Sequence, residues 1–444
     1  MMLKNSAGCT RVARKFAALG SSLLIEIIFQ AMAMTLKMTM AMAMIILGRL
    51  PAFATNSLAR QITGRTHGAD SIEGLPRCRP ESRGDLLFFC SSAGEFEQAR
   101  PVIDRLSESL GLEPMILFLS RSGLEYIRAR GEKIRAALAP PDTLWRWRRF
   151  DSRHKICASV VIRHEWWPSF LNIFGGNRPM LLIDAGRPAG SPNSKLKNLG
   201  RGYLARQFTQ ICTVDEASRT FFTKHFAIDP AKIMATGDTK YDRVMDRAVK
   251  TVVGDDLRRQ ISTFAKGRKI LVAGSIYAAD IALLMKSWRD HPELATSWAI
   301  VAVPHYPDQA TAQSLLKQIG GAGCDLLIVS RMGVLAELYS LADAAWVGGA
   351  CHNKIHNSLE PAAHGVNLGS GMKFSNSPEA VQMHREGVLH ALAGADSVAQ
   401  WLKTLELPAA SPPGERPPAS LAFVTARTGA AQKICDLLEA KLNA

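Results

Sequence analysis

Residues 85–101 read DLLFFCSSAGEFEQARP, and this stretch predicts the architecture of the chain. DLLFFC is a short apolar run, typical of a strand that is buried on both faces of a parallel sheet. The small-residue turn SSAG follows, and a helical segment extends from about Glu95 to Leu110. Strand, turn and helix in this order predict the first unit of an α/β fold.

The same unit recurs along the chain, so we predict two doubly wound Rossmann-like domains with a ligand cleft at the carboxyl ends of their strands. Residues 242–257 (DRVMDRAVKTVVGDDL) have helical spacing without a strand, which indicates the crossing between the domains. The further strand-like runs are PMILFLS, ICASVVIR, PMLLID and QICTV in the first half, and KILVAG, WAIVAV, DLLIVS and DAAWVG in the second.

Four segments are expected in a chain of 444 residues, which is longer than one core usually serves. Residues 1–83 are assigned to a membrane anchor and basic linker, and residues 84–248 to the first Rossmann-like domain. Residues 249–406 form the second domain, and residues 407–444 a Pro-rich linker and a C-terminal helix.

The net charge of +15 favours anionic partners such as nucleic acid, a membrane surface or phosphorylated substrates. Nucleic acid is not expected as a partner, because no helix-turn-helix, zinc-finger or RNA-binding signature accompanies the charge. The eight cysteines are scattered, and none stands at the two-residue spacing of a zinc ribbon or redox pair. These features predict a reduced globular protein that works near anions.

An apolar stretch at residues 17–50 predicts a membrane-anchoring helix, although Glu26 and Lys37 interrupt it. It either spans the bilayer or lies along the interface. A cleaved signal peptide is the alternative, since residues 52–54 (AFA) resemble a cleavage site, but the apolar region is too long for one. Nearly half of the net charge lies in residues 1–83, and basic residues after the stretch favour a cytoplasmic body.

Glu95 stands where the first strand gives way to a helix, so its carboxylate is placed to accept a proton from a hydroxyl nucleophile. The alternative is that Glu95 only complements the helix dipole. The dipole lowers the pKa of this carboxyl group, and a base role therefore requires partial burial to oppose it.

Two further loops of the first half carry candidate polar groups. IRHEWWPSF places Glu165 at a strand end beside Trp166 and Trp167, as in sugar sites, or as a helix cap next to two core tryptophans. ATGDTKYDRV places Lys240 between two aspartates, where its ammonium either faces the cleft or forms a solvated salt bridge.

In the second half, WVGGACHNKIHNSLEPAAHG is the most specific segment. A glutamate at position 360 is able to accept both hydroxyls of a ribose, or else Asn357 and Glu360 form a capping box. His352 and His356 have the i, i+4 spacing of a metal pair on a helix, but the flanking glycines and Asn357 indicate a loop, so no metal is expected.

Together, and in this order, SSAGEFEQARP, HEWWP, GDTKYD and HNSLEPAAHG resemble the 3-deoxy-D-manno-octulosonic-acid (Kdo) transferases of Gram-negative bacteria over residues 47–405. The resemblance implies a GT-B fold and an inverting transfer of Kdo from CMP-Kdo to a lipid A precursor, lipid IVA. It further implies work at the cytoplasmic face of the inner membrane, in lipopolysaccharide core biosynthesis, without a metal or cofactor.

The resemblance also implies roles for individual residues. Glu95 matches the general base of the family, while Glu165 and Lys240 match groups that stabilise the transition state. The positions that match the CMP-binding segments, or follow the strand ends beside them, are Gly274, Ser275, Pro304, His305, Met332, Gly333, Val334, Asn357, Ser358, Leu359 and Glu360.

The segments that are expected to bind the nucleotide-sugar donor depart from the family pattern. His305 and Tyr306 replace an Arg-His pair, so a permanent cation for the nucleotide phosphate is lost. Val334 replaces an acidic residue, residues 276–277 (Ile-Tyr) replace a Thr-His pair, and Ser358 replaces a proline. Two alternatives stay open: a related GT-B enzyme with another nucleotide sugar, and a catalytically silent lipid-binding paralogue.

WRWRRFDSRHK at residues 145–155 interleaves aromatic and basic side chains. This composition favours contact with a lipid headgroup or an acceptor phosphate, against the alternative of an ordinary solvated face. Arg146, Arg148 and Arg149 are the candidate contacts, and we expect Trp145, Trp147 and Phe150 to accompany them.

Overall fold

The computed structural model describes residues 72, 75, 84–111, 114–163, 166–176, 178–187, 195–308, 311, 313, 326–406 and 418–443, with only the backbone for residues 195–197 and 199. Nearly all of the predicted anchor and linker, residues 1–83, lies outside the described residues. In the part that is described, no helix is both long and apolar enough to cross a bilayer.

The first half contains a seven-stranded sheet in which all neighbouring strands are parallel, in the order β3-β2-β1-β4-β5-β6-β7. The order reverses between β1 and β4, which makes their carboxyl ends the expected ligand edge. The strands are β1 (Asp85–Cys90), β2 (Pro114–Phe118), β3 (Arg135–Leu138), β4 (Ile156–Ile162), β5 (Met180–Ala185), β6 (Gln210–Thr213) and β7 (Ile233–Ala235).

The second half repeats this topology with a six-stranded parallel sheet in the order β10-β9-β8-β11-β12-β13. Its order reverses between β8 and β11. The strands are β8 (Lys269–Ile276), β9 (Trp298–Pro304), β10 (Leu326–Ile328), β11 (Ala344–Val347), β12 (Asn367–Ser370) and β13 (Leu389–Ala391).

The described helices accompany the strands in the expected alternation. Those of the first half are α1 (Ala93–Leu110), α2 (Arg121–Ala129), α3 (Leu144–His154), α4 (Pro168–Phe174), α5 (Lys195–Ala205), α6 (Glu216–Phe226) and α7 (Thr239–Lys250). The later ones are α8 (Asp255–Ala265), α9 (Ala278–Asp290), α10 (Leu294–Ser297), α11 (Leu335–Tyr339), α12 (Leu359–Ala363), α13 (Pro378–Arg385), α14 (Ala395–Thr404), α15 (Ala419–Thr425) and α16 (Ala430–Asn443).

The opening strand and helix follow directly from their sequence. All six residues of β1 are buried, as expected for a strand covered on both faces. Helix α1 begins after Ser92, whose extended backbone and side-chain oxygen cap the first turn. It ends at Gly111, which adopts the left-handed conformation with φ 62°. Its apolar residues, among them Phe96 and Val102, pack on the sheet.

The last helix belongs to the core of the first sheet. Ile434 and Leu438 of α16 are fully buried in the cluster that contains Phe88 and Val102. The sequence predicts one continuous C-terminal helix from about Leu421 to Leu442; this prediction is wrong in one respect, since residues 426–429 interrupt the helix between α15 and α16. Gly429 there has φ 99°, and its N–H donates to Asp242 at 2.9 Å.

The predicted strand-like runs all appear as strands, and the fold class of two parallel α/β sheets is confirmed. The sequence interpretation missed β3, β12 and β13. These strands have three or four residues, and Arg, Gly or His interrupts their apolar pattern, so their pairing depends on the neighbouring strands.

Candidate functional site

Two groups of polar side chains lie at the carboxyl ends of the two sheets. The first-sheet edge comprises Glu95, Asp184, Asp238, Thr239 and Lys240, which follow or end β1, β5 and β7. The second-sheet edge comprises Tyr277, His305, His352 and His356, which follow β8, β9 and β11.

Glu95 lies in the first turn of α1 and is held in place by the turn that precedes it. The N–H of Ser91 donates to its Oε2 at 2.6 Å. Burial raises the pKa of the Glu95 carboxyl group, although the Ser91 hydrogen bond and the nearby Arg163 oppose the shift. The desolvation that a general base at a helix N-terminus requires is therefore present.

Lys240 lies in the first turn of α7 and forms two ion pairs. Its Nζ lies 3.1 Å from Asp238 Oδ2 and 3.1 Å from Glu379 Oε1, and Glu379 opens helix α13 of the second half. The two carboxylates raise the pKa of the ammonium group against the opposing effect of burial. Lys240 is thus permanently charged and links the two halves of the chain.

Asp184 is a member of the first-sheet edge that the sequence interpretation did not identify. It is 1% exposed and adopts a left-handed backbone conformation with φ 51°, next to an irregularity in the register of β5. Burial and the neighbouring Asp238 raise its pKa to about 7. An aspartate ending the buried strand pattern PMLLID is the signal that was available, because buried unpaired carboxylates are rare.

His164 and Glu165 lie outside the described residues, so the predicted role of Glu165 stays a prediction. The two adjacent tryptophans are described. Trp167 is buried against Phe89 with ring centroids 5.2 Å apart, and Trp166 packs 5.7 Å from Phe226. The alternative interpretation of these rings, as core residues, is confirmed.

The rings of the second-sheet edge are stacked on one another. The His305 and His356 centroids are 4.3 Å apart with the planes inclined by 20°, and Tyr277 lies 4.9 Å from His305 and 5.3 Å from His352. Burial lowers the pKa of His305 and His356, and each is lowered further by the charge of Lys354. His356 Nε2 is buried and has no hydrogen-bond partner among the described residues.

His352 and His356 lie in a loop, as the flanking glycines predicted. Residues 349–358 contain no helix, and among the described residues no group of three or more His, Cys, Asp or Glu side chains is arranged to hold a metal ion.

The turn that supports these rings allows very close backbone approach. A side chain at Gly348 would place its Cβ 2.4 Å from the carbonyl oxygen of Ser275. Gly349 follows with φ 93°, and its N–H donates to the buried Asp280 at 2.9 Å. Ser275 has φ 53°, so its backbone is strained next to the predicted donor residue Gly274.

The segment from Met332 to Val334 divides between surface and core. Met332 is 78% exposed, whereas Val334 is 3% exposed and packs in the second-sheet core with Leu338. The helix that follows this segment, α11, is short and contains only Leu335–Tyr339. Of this segment, only Met332 and Gly333 are exposed and accessible to a ligand.

Residues 357–360 open the short helix α12. Asn357 Oδ1 accepts the N–H of Leu359 at 3.1 Å, but the N-cap of α12 is Ser358, so the alternative of a capping box between Asn357 and Glu360 is wrong. Leu359 and Ser358 are buried, and Ser358 Oγ has no hydrogen-bond partner among the described residues. Glu360 Oε1 lies 3.1 Å from Arg247 of α7.

The aromatic residues of α3 correct one expectation. Trp147 and Phe150 are at most 1% exposed and pack with Phe170 and Phe174 in the first-sheet core, because the helical period turns them inward. Trp145 alone of the three is exposed, at 62%. The candidate contacts accompany it: Arg148 and Arg149 are exposed, and Arg146 stacks on Trp145 at 4.8 Å.

A polar cavity of about 340 Å³ lies between α1, α7 and residues 333–337. Its cations Arg100, Arg243 and Arg247 are ion-paired with neighbouring carboxylates. Neither Glu95 nor Lys240 lines it, so the candidate catalytic residues lie outside this cavity.

Comparison with known proteins adds sequence relatives. A family model described as 3-deoxy-D-manno-octulosonic-acid transferase (kdotransferase) matches residues 61–243. The 3-deoxy-D-manno-octulosonic acid transferase of Aquifex aeolicus is 24% identical over 66% of this chain and 76% of its own length. The transferase of Chlamydophila psittaci is 29% identical over 39% of this chain and 41% of its own length.

Solved structures share the fold at low sequence identity. A UDP-GlcNAc 2-epimerase from Neisseria meningitidis superposes with a TM-score of 0.57 at 12% identity, over 80% of this chain and 100% of that one. A glycosyltransferase from Rickettsia africae gives a TM-score of 0.54 at 11% identity, over 81% and 99% of the two chains. These similarities support the two-domain arrangement of GT-B glycosyltransferases.

Proposed function

We propose that this chain is a glycosyltransferase of the Kdo transferase family, whose model matches residues 61–243, and that it transfers Kdo from CMP-Kdo to a lipid A precursor with inversion at the anomeric carbon. The observation that carries the proposal is the half-buried Glu95, which Ser91 orients and whose pKa is raised by burial. A carboxylate of raised pKa at a strand-turn-helix junction suits general base catalysis.

In the proposed reaction, Glu95 removes the proton of an acceptor hydroxyl as the oxygen attacks the anomeric carbon of Kdo. The bond between that carbon and the phosphate oxygen of CMP breaks, and negative charge develops on the leaving phosphate. Lys240 is the permanent cation at the first-sheet edge, and Glu165 is the second proposed stabilising residue.

We place the donor nucleotide at the second-sheet edge. His356 Nε2 and Ser358 Oγ are buried polar atoms without a partner among the described residues, and a bound nucleotide would satisfy them. The strained turn at Ser275 and the close approach of Gly348 bring backbone groups to the same edge.

The direct test is incubation of the purified full chain with CMP-Kdo and lipid IVA, followed by mass spectrometry of the lipid. We expect a mass increase of one or more Kdo units, which Glu95→Ala abolishes. Transfer that is unchanged in Glu95→Ala would contradict the mechanism, and no transfer with any Kdo donor would contradict the reaction.

A different nucleotide-sugar donor is the second candidate. It is favoured by the burial of Val334 and by the titratable His305 where the resemblance implies a permanent cation. Thermal-shift measurements with CMP, UDP and GDP separate the two, since a ligand that binds only the folded state raises the melting temperature. A shift with UDP or GDP but not with CMP would favour the second candidate.

We further propose that the protein works at the cytoplasmic face of the inner membrane, with Trp145, Arg146, Arg148 and Arg149 facing lipid. Trp145 is exposed although it is large and apolar, Arg146 stacks on it, and the exposed Arg148 and Arg149 follow on the same helix. Sedimentation with vesicles that contain anionic phospholipid should detect binding by the full chain, and substitution of Arg148 and Arg149 by Ser should weaken it. Equal binding to neutral vesicles would contradict the role of the arginines.

A further inference from the structure

Hydrogen-bond geometry at the first-sheet edge assigns a proton to Asp184. Thr239 Oγ lies within hydrogen-bond distance of two oxygens, Asp184 Oδ2 and, at 2.8 Å, the carbonyl of Gln98. A hydroxyl group has one hydrogen and a carbonyl has none to give. Two separate linear hydrogen bonds at this one hydroxyl require that Thr239 donates to Gln98 and that Asp184 itself donates to Thr239. The other oxygen, Oδ1, accepts the N–H of Thr239 at 2.9 Å.

The neighbouring aspartate has the opposite set of partners. Asp238 Oδ1 accepts from Gln98 Nε2 at 2.8 Å and from the N–H of Lys240 at 3.0 Å. Its Oδ2 lies 3.1 Å from Lys240 Nζ. All three partners are donors, so Asp238 is an ionised carboxylate. One proton shared by two adjacent buried carboxyl groups therefore resides on Asp184.

The charged surroundings agree with this assignment. Among the described residues, the charged groups that act on Asp184 are Asp238 and Arg163. Burial and the charge of Asp184 both raise the pKa of the Cys212 thiol on β6. Arg163 favours ionisation of Asp184, but burial and Asp238 outweigh it and raise the pKa of Asp184 to about 7.

We propose that Asp184 is a protonated positioning residue, which fixes the first turn of α7 through Thr239 and so keeps Asp238 free to orient the ammonium group of Lys240. Loss of the proton leaves two adjacent anions beneath Lys240 and breaks one hydrogen bond to Thr239 or Gln98. The reactive geometry then depends on pH through a group that does not touch substrate.

Infrared difference spectroscopy on the full chain is the direct test. Asp184→Asn has the shape of the neutral acid and keeps both a donor and an acceptor, so it should fold normally. Subtracting its spectrum from the wild-type spectrum at about pH 6 should leave a carboxylic-acid C=O band, which disappears at about pH 8. Absence of this band at about pH 6 would overturn the proposal.

Asp242→Asn is the matched control, because Asp242 is also buried in α7 but accepts only N–H groups, from Gly429 at 2.9 Å and Ala431 at 3.3 Å. Its amide would direct an NH₂ group at an N–H, so this variant should lose stability without removing an acid band.

In wild type, the protonation of Asp184 stabilises the fold fully below pH 3.8, and this contribution is lost as the pH rises through about 7. Asp184→Asn should lose that pH dependence; destabilisation equal to that of Asp242→Asn would overturn the assignment.

The positioning role is tested through catalytic turnover, and this test therefore rests on the proposed function. The turnover of wild type relative to Asp184→Asn should fall up to about tenfold between about pH 6 and pH 8, as the protonated fraction falls. A constant ratio would overturn the positioning role. If neither protein transfers Kdo, the proposed function fails, while the infrared result still decides the protonation of Asp184.

Discussion

Lys240 and Asp184 at the first-sheet edge are held by direct hydrogen bonds and ion pairs, whereas His305 and His356 at the second-sheet edge contact each other through their ring faces. The same sheet topology therefore supports two kinds of site. At the first edge, the protein itself satisfies the charged groups, which keeps them in place before substrate arrives. At the second edge, His356 Nε2 and Ser358 Oγ are buried and have no hydrogen-bond partner within the described part of the chain, and we propose that a bound nucleotide supplies one.

Glu95→Gln should have the largest effect, because it removes the proposed base from the preorganised edge while keeping its shape. We expect turnover to fall by about 10²–10⁴-fold, as is typical for loss of a general base. Initial rates of lipid glycosylation measure this. Glu108→Gln, at an exposed position of the same helix, is the control and should leave the rate unchanged; an equal loss in both variants would mean that α1 is merely destabilised.

Lys240→Ala should destabilise the protein by roughly 1–3 kcal/mol, because Asp238 and Glu379 lose their shared cation while partly buried. Urea unfolding of the full chain measures the change. Lys286→Ala removes an exposed pair with Asp290 on α9 and should leave stability nearly unchanged. Similar values for the two variants would show that the first-sheet edge is not preorganised by its ion pairs.

His356→Phe tests the second-sheet edge and should weaken CMP binding by about 1 kcal/mol, measured by calorimetry. Burial lowers the pKa of His356, so without ligand the fold loses stability as the pH falls below about 6.5, where the unfolded chain binds the proton more readily. An anionic phosphate favours the protonated ring, so wild-type affinity for CMP should rise as the pH falls, and this slope should flatten in the variant.

His390→Phe is the control for that slope. The pKa of His390 is also lowered by burial, but it lies on β13, at the side of the second sheet. CMP affinity and its pH dependence should match wild type in this variant. A slope that flattens equally in both variants would contradict a phosphate contact at His356.

Arg247→Ala should destabilise the protein less than Lys240→Ala does, because Arg247 is 40% exposed and pairs with Glu360, whereas Lys240 holds two carboxylates. The substitution frees Glu360 to accept hydroxyl groups of a ribose. We therefore expect CMP affinity in calorimetry to be equal to or tighter than that of wild type. Weaker binding would indicate that the Arg247–Glu360 pair itself orders the nucleotide site.

Prediction from the sequence succeeded where a property is local. The β1 strand and helix α1 were located correctly, since buried strands read as apolar runs and helices as periodic patterns. The loop at His352 and His356 was predicted from its glycines. The prediction that Trp147 and Phe150 face a lipid surface is wrong, because the helical period of α3 turns both rings toward the core.

By itself, the sequence determined the alternation of strands and helices, the two-sheet architecture and the loops that carry Glu95 and Lys240, because each depends on residues close together in the chain. Only the tertiary structure decided the partners of those loops. Asp184, Gln98 and Asp238 are separated by 54 or more positions in the chain. Gln98 nevertheless donates to Asp238, and Thr239 hydrogen-bonds to both Asp184 and Gln98, so all of them belong to one network. Protonation depends on burial and on neighbouring charges, and these arise only when distant strands and helices meet.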